Sequence, residues 1–356
     1  MSERLERLRE ELAGHGLDAF LSFDAVTNAY LSGFTGSTSV VIVAADRAIL
    51  VTDFRYREQA RGEVKDFDVH EVSDSYMRGV CAGLSDIGAR NVAFEPERMT
   101  FKSYQDVRDR LTTVEFVAAQ DLVSKLRACK DRAEQDNIRR AAAIASSVMC
   151  EIPAIIRAGI SERELAAEIE YLIRKNGADG PAFEALVLFG ERSSLPHGKP
   201  SDRCLEDGDI VLVDIGAKSN GYNSDLTRTW VYRRISRIRA KEVYEIVKSA
   251  QKAALDFLKA GVWCAELDAE ARSIIRESGY SDNFGHGLGH GVGLEVHESP
   301  RISAQSTDKI QENMVVTIEP GIYLPGEGGV RIEDLVLVTA TGCEVLTEVD
   351  KTFTVI

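Results

Sequence analysis

One stretch constrains this chain more than any other. An apolar run, Ile210-Val211-Leu212-Val213, ends in Asp214 and leads through Asn220-Gly221 to Asp225. Asn-Gly between two strand-like segments is the strongest short-range signal for a two-residue hairpin turn. Such a turn sets Asp225 opposite Gly216. It also puts Asp214 and Asp225 on one face as diagonal neighbours, their backbones about 7–8 Å apart. Gly216 carries no side chain, so the space opposite Asp225 is expected to be open for something bound there. Two carboxylates on a buried face repel, and an unpaired buried charge is costly. A positive group is therefore needed between them. Arg228 and Lys218 are candidates from the hairpin itself, and a divalent cation is the stronger one.

A second hairpin repeats the logic. In TIEPGIYLPGEGGVRIED, Glu319 and Glu333 sit at apolar strand positions on either side of a loop rich in Gly and Pro. A turn about Gly326 makes them cross-strand partners on one face. Arg331 shares the parity of Glu333 and faces the same way, while Asp334 points to the opposite face and reads as a structural anchor. A third segment, NFGHGLGHGVGLEVHESP, offers His286, His290 and His297. Its glycines exclude a helix, so this is no H-E-x-x-H site, and they suit a backbone that approaches something closely. Each residue alone has an ordinary reading as a strand-end turn residue or a satisfied histidine. Four carboxylates from two hairpins beside a glycine-framed histidine cluster read together as a metal site. Four carboxylates and one neutral imidazole balance two divalent ions. The hard oxygen donors suit Mn²⁺ first, with Co²⁺ or Zn²⁺ also compatible.

The rest of the chain frames this site. Its 356 residues suffice for two domains, and its apolar share of 44% supplies an ample core. The net charge of −14 is spread along the chain without basic blocks, which excludes nucleic acid or an anionic membrane as the main partner. The start, MSERLERLREEL, is too charged for a secretory signal, and no apolar run is long enough to span a membrane. Six scattered cysteines without a C-x-x-C pair suggest reduced thiols and a cytoplasmic location.

Residues 1–125 read as a smaller α/β domain. Leu5 to Ala13 is an amphipathic helix, LDAFLSF, SVVIVAADRAILVT, DFDVHEV, RNVAFEP and VEFVAA are strands, and TFKSYQDVRDRL is a helix. The character changes near Leu122. From Asp121 to Gly159 the pattern is helical, and a capping box at Ser161–Glu164 opens a helix ending at Gly177. KEVYEIVKSAQKAALDFLKAG and ELDAEARSIIRESG are two further helices. Residues 126–356 are thus α+β, with helices covering antiparallel strand pairs.

On LPHGKPSD, DIGAKSNGYNSDLTRT, GHGLGHGVGLEVHESPR, TIEPGIY and GGVRIED, the chain resembles the pita-bread metallopeptidases. The branch is that of Xaa-Pro dipeptidase (prolidase) and Xaa-Pro aminopeptidase. NAYLSGFTGS is similar to the creatinase-like N-terminal domain of that branch, so the resemblance covers nearly the whole chain. It implies a C-terminal pita-bread catalytic domain with two divalent metal ions per subunit, held by Asp214, Asp225, His290, Glu319 and Glu333. Asp225 and Glu333 would bridge them. All five are present, which separates the chain from creatine amidinohydrolase and from metal-free binding relatives.

The resemblance further implies a substrate-side role for His197 and support of the tetrahedral intermediate by His297. His286, Arg331 and Tyr323 match substrate-contacting or supporting positions. Arg301 sits where some dipeptidases hold a substrate carboxylate, and Phe183 where a proline ring would lodge. The implied reaction is hydrolysis of the bond preceding proline, with water held between the ions as nucleophile and Glu319 as proton shuttle. Arg301 and the short chain favour a dipeptidase over an aminopeptidase acting on longer proline-containing peptides. The family's pairing of subunits implies a homodimer.

Overall fold

The computed structural model describes residues 3–235 and 238–356. The chain divides into two compact units, Met1–Arg127 and Ala128–Ile356. No helix among the described residues is long and apolar enough to cross a membrane.

The first unit is a six-stranded mixed sheet ordered Asp68–Val72, Ala48–Asp53, Val40–Ala44, Ala19–Ser22, Asn91–Phe94, Glu115–Ala118. Its core gathers Leu21, Ile42, Ile49, Val80, Leu84 and Val92. The strands fall where the apolar alternation places them. Three helices, Ala25–Ser32, Arg57–Glu63 and Tyr76–Ile87, have no counterpart in that reading. The last of them packs on the sheet through Gly79 and Gly83. A Cβ at Gly79 would lie 2.6 Å from Val72 and 2.8 Å from Val51, and one at Gly83 2.9 Å from Ile42. Glycine at these positions brings helix and sheet close and lowers the intrinsic helix propensity, while Val80 and Leu84 keep the apolar spacing of a helix face.

The second unit is built twice over from a helix pair and a hairpin. Arg132–Ile155 and Glu162–Lys175 share one core with the strands Leu186–Phe189, Ile210–Ile215 and Leu226–Val231. Ile238–Phe257 and Cys264–Glu277 share another with the sheet that contains Gly289–Gly291, Val315–Ile318 and Asp334–Val338. The capping box at Ser161 and Glu164 forms as its sequence dictates, and the chain reverses at Gly177 with φ 91°. The helical run after Asp121 is in fact two helices, Leu122–Ala128 and Arg132–Ile155. Asp131 breaks it by leaving the helical region to cap the second helix in a box with Glu134, and Cys129 forms a β-bridge with Met314.

Both hairpins take the registers that their turns predict. Asn220 and Gly221 have φ of 49° and 81°, the left-handed pair that a two-residue primed turn needs. The ladder then runs Ser219 opposite Tyr222 and Asp214 opposite Thr227. The second hairpin turns about Gly326, with Tyr323 opposite Gly329 and Ile318 opposite Asp334. One expectation fails. The space at Gly216 is not open: a Cβ there would stand 2.1 Å from the Ser224 carbonyl oxygen, 2.7 Å from Phe183 and 2.8 Å from Ala182. The glycine lets backbone pack on backbone behind the carboxylates and leaves no room for a ligand. Gly216→Ala is therefore expected to destabilise the fold by about 1–3 kcal/mol through overpacking, read as a lowered midpoint in thermal unfolding. An unchanged midpoint would contradict this packing.

Candidate metal centre and active site

The two hairpins are stitched along the edges that carry their acids. The Glu333 amide donates to the Thr227 carbonyl at 3.2 Å, and the Thr229 hydroxyl donates to the Arg331 carbonyl at 2.9 Å. Thr227 Oγ1 donates to Glu333 Oε2 at 2.6 Å and accepts from Arg331 Nε at 3.0 Å. Strand alternation then sorts the charges onto two faces. Arg228 points away from the acids' face, donating to Asp334 Oδ1 at 2.7 Å and to the Glu333 carbonyl at 2.6 Å. Asp334 is fully buried there and also accepts from Gln251, Thr347 and Lys351. This is the structural anchor that its parity implies.

On the other face the acids converge. Single donor atoms of Asp225, His290 and Glu333 all lie within 4.8 Å of one another. His290 Nε2 is 3.7 Å from Asp225 Oδ2 and 3.4 Å from Glu319 Oε1. Asp214 stands beside them with Arg331 Nη2 at 2.6 Å from Oδ2, so the cation next to Asp214 is neither Arg228 nor Lys218. Its other oxygen, Oδ1, is buried without a hydrogen-bond partner.

The electrostatics describe a site short of positive charge. Burial, reinforced by Glu333, Asp214 and Glu319, pushes the Asp225 carboxyl well above the usual carboxylate range. Burial and the charges of Glu319 and Asp214 do the same to Glu333, and burial pushes Glu319 up to about 7. Burial also lowers His290 to about 4, so its ring is neutral near pH 7. Its Nδ1 lies 3.0 Å from the Gly291 carbonyl, which can only accept, so the proton is on Nδ1 and the lone pair is on Nε2. That lone pair looks at carboxylate oxygens. Acceptors facing acceptors around an orphaned Asp214 oxygen require protons or a cation among them. The oxygen-rich donor set with one oriented imidazole fits divalent metal ions.

The supporting residues form a chain. His286 is neutral, lowered to about 4 by burial and by Arg331. Its Nδ1 donates to the Gly287 carbonyl at 2.8 Å, so the Tyr323 hydroxyl, 2.9 Å from Nε2, donates to it. The same hydroxyl accepts from Arg331 Nη1 at 3.0 Å, which completes a run from His286 to Asp214. His297 is exposed, its ring centroid 4.4 Å from that of His290. Arg301, also exposed, is the cross-strand partner of His290, so both side chains leave the same face. His197 is exposed and its charge contributes to lowering His286, and its neighbour Pro196 offers a carbonyl to Arg331 at 3.4 Å. Phe183 is half-buried against Gly216. Sequence reasoning missed Thr227 and Thr317, the latter accepting from the His290 amide at 3.1 Å and donating to Glu319 at 3.3 Å. Both stand two residues before or after a site acid, so parity alone marks their face.

A cage of this kind, on paired hairpins backed by helices, defines a metal-dependent hydrolase. Residues 136–340 match Metallopeptidase family M24, and residues 4–129 match the Creatinase/Prolidase N-terminal domain. The chain belongs to metallopeptidase family M24, with the pita-bread fold in its second unit and a creatinase-type first unit. It is 38% identical to the Xaa-Pro dipeptidase of Pyrococcus furiosus, over 99% of each chain. It superposes on the Xaa-Pro dipeptidase from Bacillus anthracis with a TM-score of 0.97, at 39% identity and 99% coverage of each chain. The X-Pro aminopeptidase from Thermotoga maritima is 40% identical, with a TM-score of 0.92 over 99% of this chain and 100% of that one.

The raised carboxyls have a consequence for stability. In the folded, metal-free chain Glu319 keeps its proton between about pH 4.5, the ordinary value for Glu, and about pH 7, whereas in the unfolded chain it loses it. The contribution of this carboxyl to stability therefore falls as pH rises through that window, while the lowered His286 and His290 act in the opposite sense. A divalent ion replaces the carboxyl proton, so its stabilising effect grows with pH across the same interval. Thermal unfolding of chelator-treated protein at about pH 5 and about pH 8, with and without Mn²⁺, checks this. Equal metal-induced shifts at both would contradict it.

Proposed function

We propose that this chain is an Xaa-Pro dipeptidase, hydrolysing the bond that precedes a C-terminal proline. One observation carries the reading: Asp225, His290 and Glu333 converge beside Asp214 and Glu319, inside the family-matched region of a chain that aligns end to end with Xaa-Pro dipeptidases. Two divalent ions held by these five residues, Mn²⁺ for preference, would supply Lewis-acid charge and lower the pKa of a water.

The chain's own residues account for the rest. An X-Pro bond is a tertiary amide without N–H, so the leaving nitrogen needs a proton from the enzyme. Glu319, whose Oε1 lies 3.4 Å from His290 Nε2 at the edge of the cage, takes up a proton and returns it at that nitrogen. His297 extends beside His290 and donates to the carbonyl oxygen as charge develops on it. Arg301, on the same face as His290, takes the substrate's terminal carboxylate, and Phe183, half-buried with one edge against Gly216, is assigned by the family resemblance to the proline ring through its remaining surface. His197 contacts the substrate from its exposed turn. His286, Tyr323 and Arg331 hold Asp214 in orientation. The reading includes a domain boundary near residue 125, a homodimer as in the family, and a cytoplasmic location in keeping with scattered thiols.

A second reading, X-Pro aminopeptidase, is favoured by the near-equal match to the Thermotoga maritima enzyme. Metal-stripped protein reloaded with Mn²⁺ and assayed on Ala-Pro and Ala-Pro-Ala separates the two. Cleavage of the dipeptide alone supports the dipeptidase, and preference for the tripeptide supports the aminopeptidase. No metal-dependent cleavage of either would end both.

Two variants sharpen the test. Asp225→Asn is expected to lower kcat/KM by roughly 10³-fold or more while the protein stays folded. Arg301→Ala is expected to raise KM for Ala-Pro on the order of tenfold with kcat nearly unchanged. Full activity in the first would sink the site assignment, and an unchanged KM in the second would remove Arg301 from the substrate.

A further inference from the structure

Lys130 and Glu298 form an ion pair whose side chains are 1% and 5% exposed, with Nζ 3.3 Å from Oε2. Neither belongs to the metal cage. A buried pair of this kind is a poor stability device, because desolvation offsets most of the attraction and an apolar pair would often serve as well. What it does fix is geometry. Lys130 has an immobile base: its amide donates to the Asn313 carbonyl at 2.8 Å, and its carbonyl accepts from Gln135 at 2.9 Å. Its ammonium also donates to the Ala128 carbonyl at 3.1 Å.

Glu298 in turn gathers a loop. Its Oε1 accepts from the Glu295 amide at 2.9 Å, and its carboxylate lies over Gly293, where a Cβ would come within 2.6 Å of Oε2. Asn223, two residues before Asp225, holds the far side of that loop. Its amide and side chain donate to the Gly293 carbonyl at 2.8 and 3.0 Å, and its side chain reaches the Leu294 carbonyl at 2.9 Å. The loop so fastened carries His297, the residue directly before Glu298. Its imidazole is exposed and, among the described residues, has no hydrogen bond of its own. Apart from its edge contact with the His290 ring, the imidazole takes its place from the backbone.

We propose that Lys130 is a positioning residue for His297, acting through the buried carboxylate of Glu298. The inference rests on the reading of His297 as the donor to the substrate carbonyl. It explains why the chain breaks its helix at Cys129 to Asp131: the break sends the Lys130 side chain inward to the His297 loop rather than along a helix surface. A donor displaced by about an ångström costs on the order of 10²-fold in rate, so the pair acts on kcat while leaving the metal cage untouched.

The test is a double-mutant cycle on the Mn²⁺-loaded enzyme with Ala-Pro. Lys130→Met should lower kcat by about 10- to 100-fold, change KM by less than about threefold, and leave Mn²⁺ affinity by calorimetry unchanged. In a His297→Ala background the same substitution should cost less than about twofold, because the group it positions is gone. In NMR spectra of histidine-labelled, metal-free protein, the His297 ring resonances should broaden or split in Lys130→Met while those of His15 and His70 stay put. The pair Lys130→Met with Glu298→Gln, which buries no charge, gives the same readouts if the single variant does not fold. A folded variant with unchanged kcat and an unmoved His297 signal overturns the proposal, as do additive losses in the His297→Ala background. If wild-type enzyme cleaves no Ala-Pro, the peptidase reading fails, and the His297 resonances still decide the positioning.

Discussion

Everything at this site depends on holding four carboxylates together against their repulsion. The work is done by the seam between the two hairpins. The Thr227 hydroxyl bonds Glu333 and Arg331 at once, and the Arg331 guanidinium neutralises part of Asp214 while bonding Tyr323. Arg228 and Asp334 close the reverse face as a buried pair. A strand alternates its side chains, so each hairpin gives one face to the acids and the other to their support. Remove the seam and the acids have no reason to stay together.

The repulsion is left incomplete on purpose of function rather than by oversight of packing. Arg331 is one cation facing Asp214, Glu319 and Glu333; burial opposes its charge, and Tyr323 with those three acids outweighs the burial and holds it firmly protonated. The remaining deficit appears as raised carboxyls on Asp225, Glu319 and Glu333 and as a bare lone pair on His290. Protons or divalent ions meet that deficit, and the exchange between them links metal binding to pH. A fully satisfied cluster would be more stable and would bind nothing. Near the deficit, His197, His297 and Arg301 stand exposed, and Glu298, paired with Lys130, and Asn223 fasten the loop that precedes and carries His297.

Much of this was legible in the chain. The Asn220-Gly221 and Gly326 turns gave both registers, and register gave the face of every acid and of Arg331, because strand parity is a local property. The capping box at Ser161 and the non-helical, glycine-rich backbone around His290 were equally local. Helix Tyr76–Ile87 was overlooked although Val80 and Leu84 keep a helical spacing, because Gly79 and Gly83, which its close packing on the sheet requires, are poor helix formers. Gly216 was misjudged because an absent side chain does not say what fills its place, and here it is the Ser224 carbonyl with Phe183 and Ala182.

The sequence alone determined which residues carry charge toward a common face and how each hairpin turns, since both follow from alternation and turn chemistry over a few residues. Tertiary structure decided which partners those charges meet. Arg331 rather than Arg228 or Lys218 stands at Asp214, Thr227 joins the two hairpins, and Lys130 reaches Glu298 across 168 positions of chain. Those choices arise between segments remote in sequence, where burial and the close approach of backbones set the electrostatics that no local pattern encodes.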